Sequence, residues 1–441
     1  MPATSLLGGR FRSLRELRRA FPARIDRYKR ASKGRVRATL LADPEIAAAV
    51  RDHAASTGEA EEASWRRVHA YLDEIVPSFS LFVYYRLGYG LARALLPLLY
   101  KVGVGYEAAE ALRRMPRDAV VVYLMNHRSN VDYVVAAYVL SGKVAVSYAV
   151  GEWARVWPLE ELFKRFGSYF VRRGYPELLY HKVLERYVQL ITKNGVTQGI
   201  FLEGGLSRDG RFRPPKLGLF DDIARAKLDP AFTRPIYLVP VAINYDRVLE
   251  DRSLLRELQA PEARLARREQ MTEVASYLLK VSIRFLLRRA RRYGRACVNF
   301  GAPVCLDEWL AQHPGVLRLP RAERLARLET LAREVMARIS AIMPVTPVPL
   351  ASAALLQHPG DRITHGQWES LMSDLRFVLR GAGAPIVGDE KSSREILDRA
   401  LVMLTLRRVV SPDGDGFRVD RGQDLLLQYY ANSIAHFFPA P

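Results

Sequence analysis

The chain has 441 residues, 49% of them hydrophobic and 26% charged, which is enough apolar material for one large core or two to three smaller ones and too much for a disordered polymer. Its 67 Lys and Arg outnumber its 47 Asp and Glu, a net charge of +20 that favours a polyanionic partner: nucleic acid, an anionic membrane face or a phosphorylated substrate. The two cysteines, Cys297 and Cys305, match no metal-ligand or redox spacing and argue against a disulfide-built secreted fold, so a reducing compartment is expected.

In chain order, residues 10–37 are dense in Arg and Lys, with Leu14, Leu17, Phe21 and Ile25 spaced along one face. They predict a basic helical surface rather than a secretory signal. Residues 1–78 read as helical throughout. Residues 79–104 are the most aromatic segment, and Arg86, Arg93 and Lys101 recur at seven- or eight-residue intervals. That spacing predicts one helix with a single charged stripe, suited either to a bilayer interface or to burial with one wet edge. No run approaching 18 residues escapes charge or proline, so no transmembrane helix is expected.

From about residue 115, β-branched runs at 120–124, 145–150, 169–172, 199–202, 236–243 and 297–300 alternate with amphipathic stretches. The alternation predicts an α/β fold: a mixed, largely parallel sheet flanked by helices, with helical N-terminal and C-terminal regions. Beyond about residue 310 strands are expected to stop, except for a hairpin at 409–419 around Ser-Pro-Asp-Gly-Asp-Gly. The expected organisation is a basic, membrane-associating helical region at 1–90, an α/β domain at 91–310 and a mainly helical region with a hairpin at 311–441. Helices followed by a hairpin resemble a winged-helix module, which together with the charge raises a DNA-binding reading. Only Arg407 and Arg408 form a basic pair just before the hairpin, and that reading leaves the motifs below unexplained.

The first β run ends in Asn126-His127-Arg128-Ser129-Asn130-Val131-Asp132. A histidine at the C-terminal end of a strand lies where open α/β sheets bind ligands. Asp132, five residues on, is placed to accept a proton from one imidazole nitrogen while the other takes a proton from a substrate hydroxyl. A second strand ends in Arg172 and Arg173. A third ends in Glu203-Gly204-Gly205-Leu206-Ser207-Arg208, followed by Lys216. Three strand ends thus offer a base beside a cluster of cations suited to a phosphate, with Gly204 and Gly205 allowing close backbone approach. The other histidines are scattered, and no metal cluster is predicted.

These blocks, NHRSNVD, GSYFVRR and FLEGGLSRDG, together with LVPVAINY at 238–245, resemble the glycerol-3-phosphate and dihydroxyacetone-phosphate acyltransferases. The resemblance extends through 298–303, 343–347 and 429–434 and covers roughly residues 80–440. It implies His127 as general base, Asp132 as its orienting partner, Arg173 and Arg208 as ligands of the acceptor's phosphate, and Glu203 and Ser207 as acceptor-site residues. Arg172 and Lys216 are further members of the same clamp. Leu206 and Ala431 stand where the family has arginines.

The implied reaction is 1-O-acylation of glycerol 3-phosphate from acyl-CoA or acyl-ACP as co-substrate, with no other cofactor and no acyl-enzyme. The alternatives are a dihydroxyacetone-phosphate or lysophospholipid acceptor, or a non-catalytic membrane-associated homologue. The expected place is the cytoplasmic face of the cell membrane, held peripherally on an anionic surface, with no nucleic-acid partner.

Overall fold

The computed structural model describes residues 32–80, 90–140, 146–151, 159–172, 174–259 and 293–438. Its centre is a mixed sheet with strands β1 (Lys101–Tyr106), β2 (Val120–Met125), β3 (Ser147–Gly151), β4 (Tyr169–Val171), β5 (Gln198–Phe201), β6 (Ile236–Tyr245), β7 (Arg295–Phe300) and β8 (Val304–Cys305). The spatial order is β1-β7-β6-β2-β5-β3-β4, with β8 also on β6. Strands β6, β2, β5, β3 and β4 run parallel to one another, while β7 pairs antiparallel with β6 and parallel with β1.

Strand β2 is buried along its whole length, as its unbroken Val-Val-Val-Tyr-Leu-Met run demands of a central strand covered on both faces. Alternation then divides the core. Val121, Tyr123 and Met125 join one apolar cluster, Val120, Val122 and Leu124 the other. The first cluster is closed by the helix Asp132–Leu140 and by C-terminal helices, notably Pro347–Leu356 and Asp424–Asn432. The second is closed by the N-terminal helices Pro44–Thr57 and Glu61–Ile75 and by Leu178–Lys193 and Arg321–Ala341. The N-terminal helices therefore cover one face of the sheet together with Arg321–Ala341, and the later C-terminal helices cover the other.

Local chemistry sets the helix ends. Pro44–Thr57 begins where the Asp43 side chain accepts from the Glu45 amide, with Pro44 at its first turn, and stops at Gly58 in the left-handed conformation. Thr364 with Gln367 and Ser392 with Glu395 form capping boxes that start His365–Gly381 and Ser393–Leu406.

Two expectations are corrected. The single helix expected over 79–104 ends at Leu99: Lys101–Tyr106 is β1, paired in register with β7. Gly103 and Gly105 disfavour helix there, and Val102, Val104 and Tyr106 alternate as a strand requires. Residues 81–89, including Arg86, lie outside the described residues. The strands also do not stop at residue 310. The expected hairpin forms as β10 (Val410–Asp413) and β11 (Gly416–Val419), and β9 (Arg362–Thr364), too short to announce itself, pairs with β11.

The C-terminal region is fastened to the sheet side by a buried ion pair. Asp251, at the start of the helix Asp251–Gln259, accepts from Arg407 at 2.6 Å and from the Tyr430 hydroxyl at 2.6 Å. Removing the cation leaves a carboxylate 1% exposed with only neutral donors, the Tyr430 hydroxyl and the Arg252 amide. Arg407→Ala is expected to cost about 3 kcal/mol. Chemical denaturation checks this: an unchanged midpoint would show that the pair fastens nothing.

Candidate active site

Parallel pairing of β5, β2 and β6 brings their C-terminal ends to one edge of the sheet. The segments that follow them carry His127 and Asp132, then Glu203 to Gly210, and Tyr245 at the last position of β6. Asn126 locks the edge, since its side-chain amide donates to the Ile243 carbonyl at 2.9 Å and accepts from the Ile243 amide at 2.8 Å.

His127 Nδ1 lies 2.9 Å from Asp132 Oδ2, and the imidazole stacks on Phe201 at 4.0 Å between ring centroids. Asp132 opens the helix Asp132–Leu140, and its Oδ2 also accepts from the amides of Arg128 at 2.7 Å and Ser129 at 3.0 Å. Its Oδ1 accepts from the Tyr245 hydroxyl at 2.5 Å. The pair is sealed from solvent, with Asp132 0% and His127 1% exposed. A carboxylate held by this set of donors fixes the imidazole with Nδ1 turned toward Asp132.

Glu203 ties the second block to the first. Its Oε1 accepts from the His127 amide at 3.0 Å and its Oε2 from the Arg213 amide at 2.9 Å, while the Ser207 amide donates to the His127 carbonyl at 3.0 Å. Burial pushes the Glu203 carboxyl up to about 7, opposed by the nearby Arg128 and by the two amides. The structure therefore gives Glu203 a scaffold position inside the loop. The Ser207 hydroxyl is likewise turned inward, donating to the Arg211 carbonyl at 2.7 Å.

The cations separate. Arg208 is one-third exposed and donates through Nε to Glu257 at 3.0 Å. Lys216 is exposed, packs its stem over Gly204, which has φ +66°, and makes no side-chain hydrogen bond or ion pair among the described residues. Gly205 is buried in the same turn. Arg172 is committed elsewhere: it grips Glu74 of the N-terminal helices through Nε and Nη2 and lies over Tyr175 at 4.6 Å. Arg173 lies outside the described residues. Leu206 packs against the apolar core, and Ala431 is buried in the helix Asp424–Asn432, so both departures from the family pattern are filled positions.

Residues that sequence reading left unassigned complete the site. Arg128, 2% exposed, donates to the Gly210 carbonyl, and Arg213 reaches the Leu206 carbonyl. Glu250 accepts from the Ser129 hydroxyl at 2.6 Å, and burial pushes it up to about 7. Gly210 has φ +85° and lies against the Tyr429 carbonyl, where any β-carbon would collide. The Asn432 amide donates to the Asp209 carbonyl at 2.8 Å, so the C-terminal helix shapes the glycine-rich loop directly. Among the described residues no group of three or more His, Cys, Asp or Glu could hold a metal ion, and no helix is long and apolar enough to cross a membrane.

Residues 108–244 match the acyltransferase family model, and residues 273–441 match the model of the glycerol-3-phosphate acyltransferase C-terminal region. A glycerol-3-phosphate acyltransferase of Aeromonas hydrophila is 31% identical over 415 residues, covering 91% of this chain and 49% of its own length. That of Pasteurella multocida is 30% identical over 416 residues, covering 91% and 50%. The chain thus spans about half the length of the curated relatives it matches. Among solved structures, a 1-acyl-sn-glycerophosphate acyltransferase of Thermotoga maritima aligns with 57% of this chain and 78% of its own, at 18% identity and a TM-score of 0.33.

The Glu203 environment has a consequence for stability. A carboxyl raised from 4.5 to about 7 on folding binds its proton more tightly in the native state than in the unfolded chain. Its contribution is therefore fully present below pH 4.5 and is lost as pH rises through 7, by on the order of 3 kcal/mol. Glu203→Gln cannot ionise and should gain on the wild type by that amount between pH 4.5 and 8, whatever its constant cost from turning an NH2 toward a backbone donor. Denaturant titrations across this range check it: parallel pH curves for the two proteins would contradict the assignment.

Proposed function

We propose that this chain, a member of the glycerol-3-phosphate acyltransferase family, transfers an acyl group from a thioester carrier to the sn-1 hydroxyl of glycerol 3-phosphate. The observation that carries the reading is the His127–Asp132 pair, buried and held by donors from two neighbouring strand ends. His127 Nε2 takes the hydroxyl proton as the oxygen attacks the thioester carbonyl. The tetrahedral intermediate then collapses, the carbon–sulfur bond breaks, and the imidazolium returns its proton to the departing thiolate. The products are lysophosphatidate and the free carrier thiol. Neither cysteine stands in the blocks that carry the family resemblance, so the acceptor is the nucleophile and no acyl-enzyme is required.

The phosphate would be met by Arg208, whose guanidinium is steadied by Glu257, and by Lys216 above Gly204. Arg173 joins them by resemblance to the family. Arg172 is better read as a strut to Glu74, and Glu203 as the brace of the loop rather than a ligand of the acceptor. Holding the phosphate fixes the hydroxyl beside the imidazole and turns binding into proximity.

A net charge of +20 suits an anionic carrier, either acyl-CoA or acyl carrier protein, and suits a peripheral position on the anionic cytoplasmic face of the membrane. The reaction needs no cofactor beyond the carrier. The C-terminal hairpin carries Asp413 and Asp415 at its tip, which disfavours nucleic acid as the partner of that module.

His127→Ala should abolish transfer, and Asp132→Asn should slow it about a thousandfold or more, because an amide carries no charge to steady the imidazolium and, with its NH2 turned to Nδ1, holds the wrong tautomer. Arg208→Ala and Lys216→Ala should chiefly raise the KM for glycerol 3-phosphate and leave the donor KM in place. Steady-state assays of the full chain with both substrates varied, and with dihydroxyacetone phosphate and a lysophospholipid as rival acceptors, check these outcomes. Near-normal turnover by His127→Ala would remove the reading, and a rise in donor KM alone would move both cations to the carrier.

A further inference from the structure

We propose that Tyr245 is a positioning residue for acyl transfer, acting on His127 through Asp132. The proposal rests on reading His127 as the general base. Asp132 is completely buried, and its two oxygens have different duties. Oδ2 takes the imidazole together with the amides of Arg128 and Ser129, all from its own loop. Oδ1 takes the Tyr245 hydroxyl, which arrives from β6, 113 residues away in the chain. A buried carboxylate oxygen without a donor is costly, so this hydroxyl holds the carboxylate in the one rotation that presents Oδ2 to Nδ1.

The partners fix the sense of the bond. Burial and the neighbouring Asp132 push the Tyr245 hydroxyl well above its ordinary value, so it stays protonated at neutral pH and donates. Its ring packs against Tyr100 at 5.4 Å between centroids, and Tyr100 in turn donates to the Arg247 carbonyl at 2.8 Å. The ring could be kept by phenylalanine; among the described residues the hydroxyl bonds the carboxylate alone. By drawing negative charge toward Oδ1, it also lowers the basicity that Asp132 confers on the imidazole. Loss of the hydroxyl should therefore raise the pH at which His127 becomes competent as a base. Among the described residues, the other charged or titratable groups facing the pair are Arg128 on the same loop, Tyr133 on the helix that Asp132 opens, Glu203 beyond β5, Glu250 beyond β6 and Tyr429 on the C-terminal helix. The substitution leaves each of them in place.

The test is Tyr245→Phe in the full chain, assayed with acyl-CoA and glycerol 3-phosphate across pH, alone and combined with Asp132→Asn. The expected result is a fall in kcat of about tenfold, a KM for the acceptor within about twofold, and an acid limb of kcat/KM moved up by about half a pH unit. In the Asp132→Asn background, Tyr245→Phe should cost nothing further, because its route to His127 is gone. Should the variant lower the yield of folded protein, the acid limb remains readable, since a half-maximal pH does not depend on the active fraction. A wild-type kcat and acid limb, or an equal loss in both backgrounds, would overturn the proposal. His127→Ala separates the two readings: inactive alongside an unaltered Tyr245→Phe, it defeats the role of Tyr245 alone, whereas an active His127→Ala defeats the general base and this proposal with it.

Discussion

The side chain of Asp132 has no solvent, and the arrangement around it follows from that deficit. A buried carboxylate persists only if its lone pairs are met, and the donors here come from the loop after β2 and from the end of β6. Two loop amides can reach Oδ2 only if residues 126–132 fold back sharply into a helix start. The tyrosine can reach Oδ1 only if β2 and β6 pair in the observed parallel register, Met125 opposite Val241. Satisfying one carboxylate thus constrains the strand pairing, the loop and the orientation of the histidine together. Glu203 repeats the logic one strand over, using both oxygens on backbone amides to hold the glycine-rich loop against the histidine loop.

The C-terminal region completes the glycine-rich loop. Gly210 can approach Tyr429 only because it lacks a side chain, and Asn432 donates across the same contact. Asp251, Arg407 and Tyr430 form a second buried attachment at the last turn of the same helix, Asp424–Asn432. The N-terminal helices act on the opposite face, where Arg172 joins β4 to Glu74 beneath a cluster of tyrosines. Deletion of the N-terminal helices would therefore uncover part of one face of the sheet, and deletion of the C-terminal region would strip helices from both faces and loosen the glycine-rich loop.

Much of this was legible in the sequence where the signal is local. The apolar runs of β2, β5 and β6 declare central strands, and the His127–Asp132 spacing places both residues in one strand-to-helix turn. The hairpin follows from its Asp-Gly turn. Strand β1 was not legible, because Lys101–Tyr106 continues an apolar helical segment and its two glycines are weak evidence on their own. The role of Glu203 was hidden for a different reason: a Glu in a glycine-rich turn beside arginines looks like part of a ligand site until the register of β2 and β5 brings the His127 amide to it. Arg172 and Glu74 are 98 residues apart and Tyr245 and Asp132 are 113 apart, distances over which residue type says nothing of partnership. Leu206 and Ala431 looked like missing charges and proved to be packed positions.

Acyl transfer by this site depends on where an acceptor hydroxyl meets the imidazole. A structure of the full chain with glycerol 3-phosphate bound measures it directly. The account predicts the sn-1 oxygen within about 2.6–3.2 Å of His127 Nε2, with the phosphate against Arg208 and Lys216. A phosphate seated on those cations with its hydroxyls turned away from the histidine, or an acceptor bound at another edge of the sheet, would contradict it.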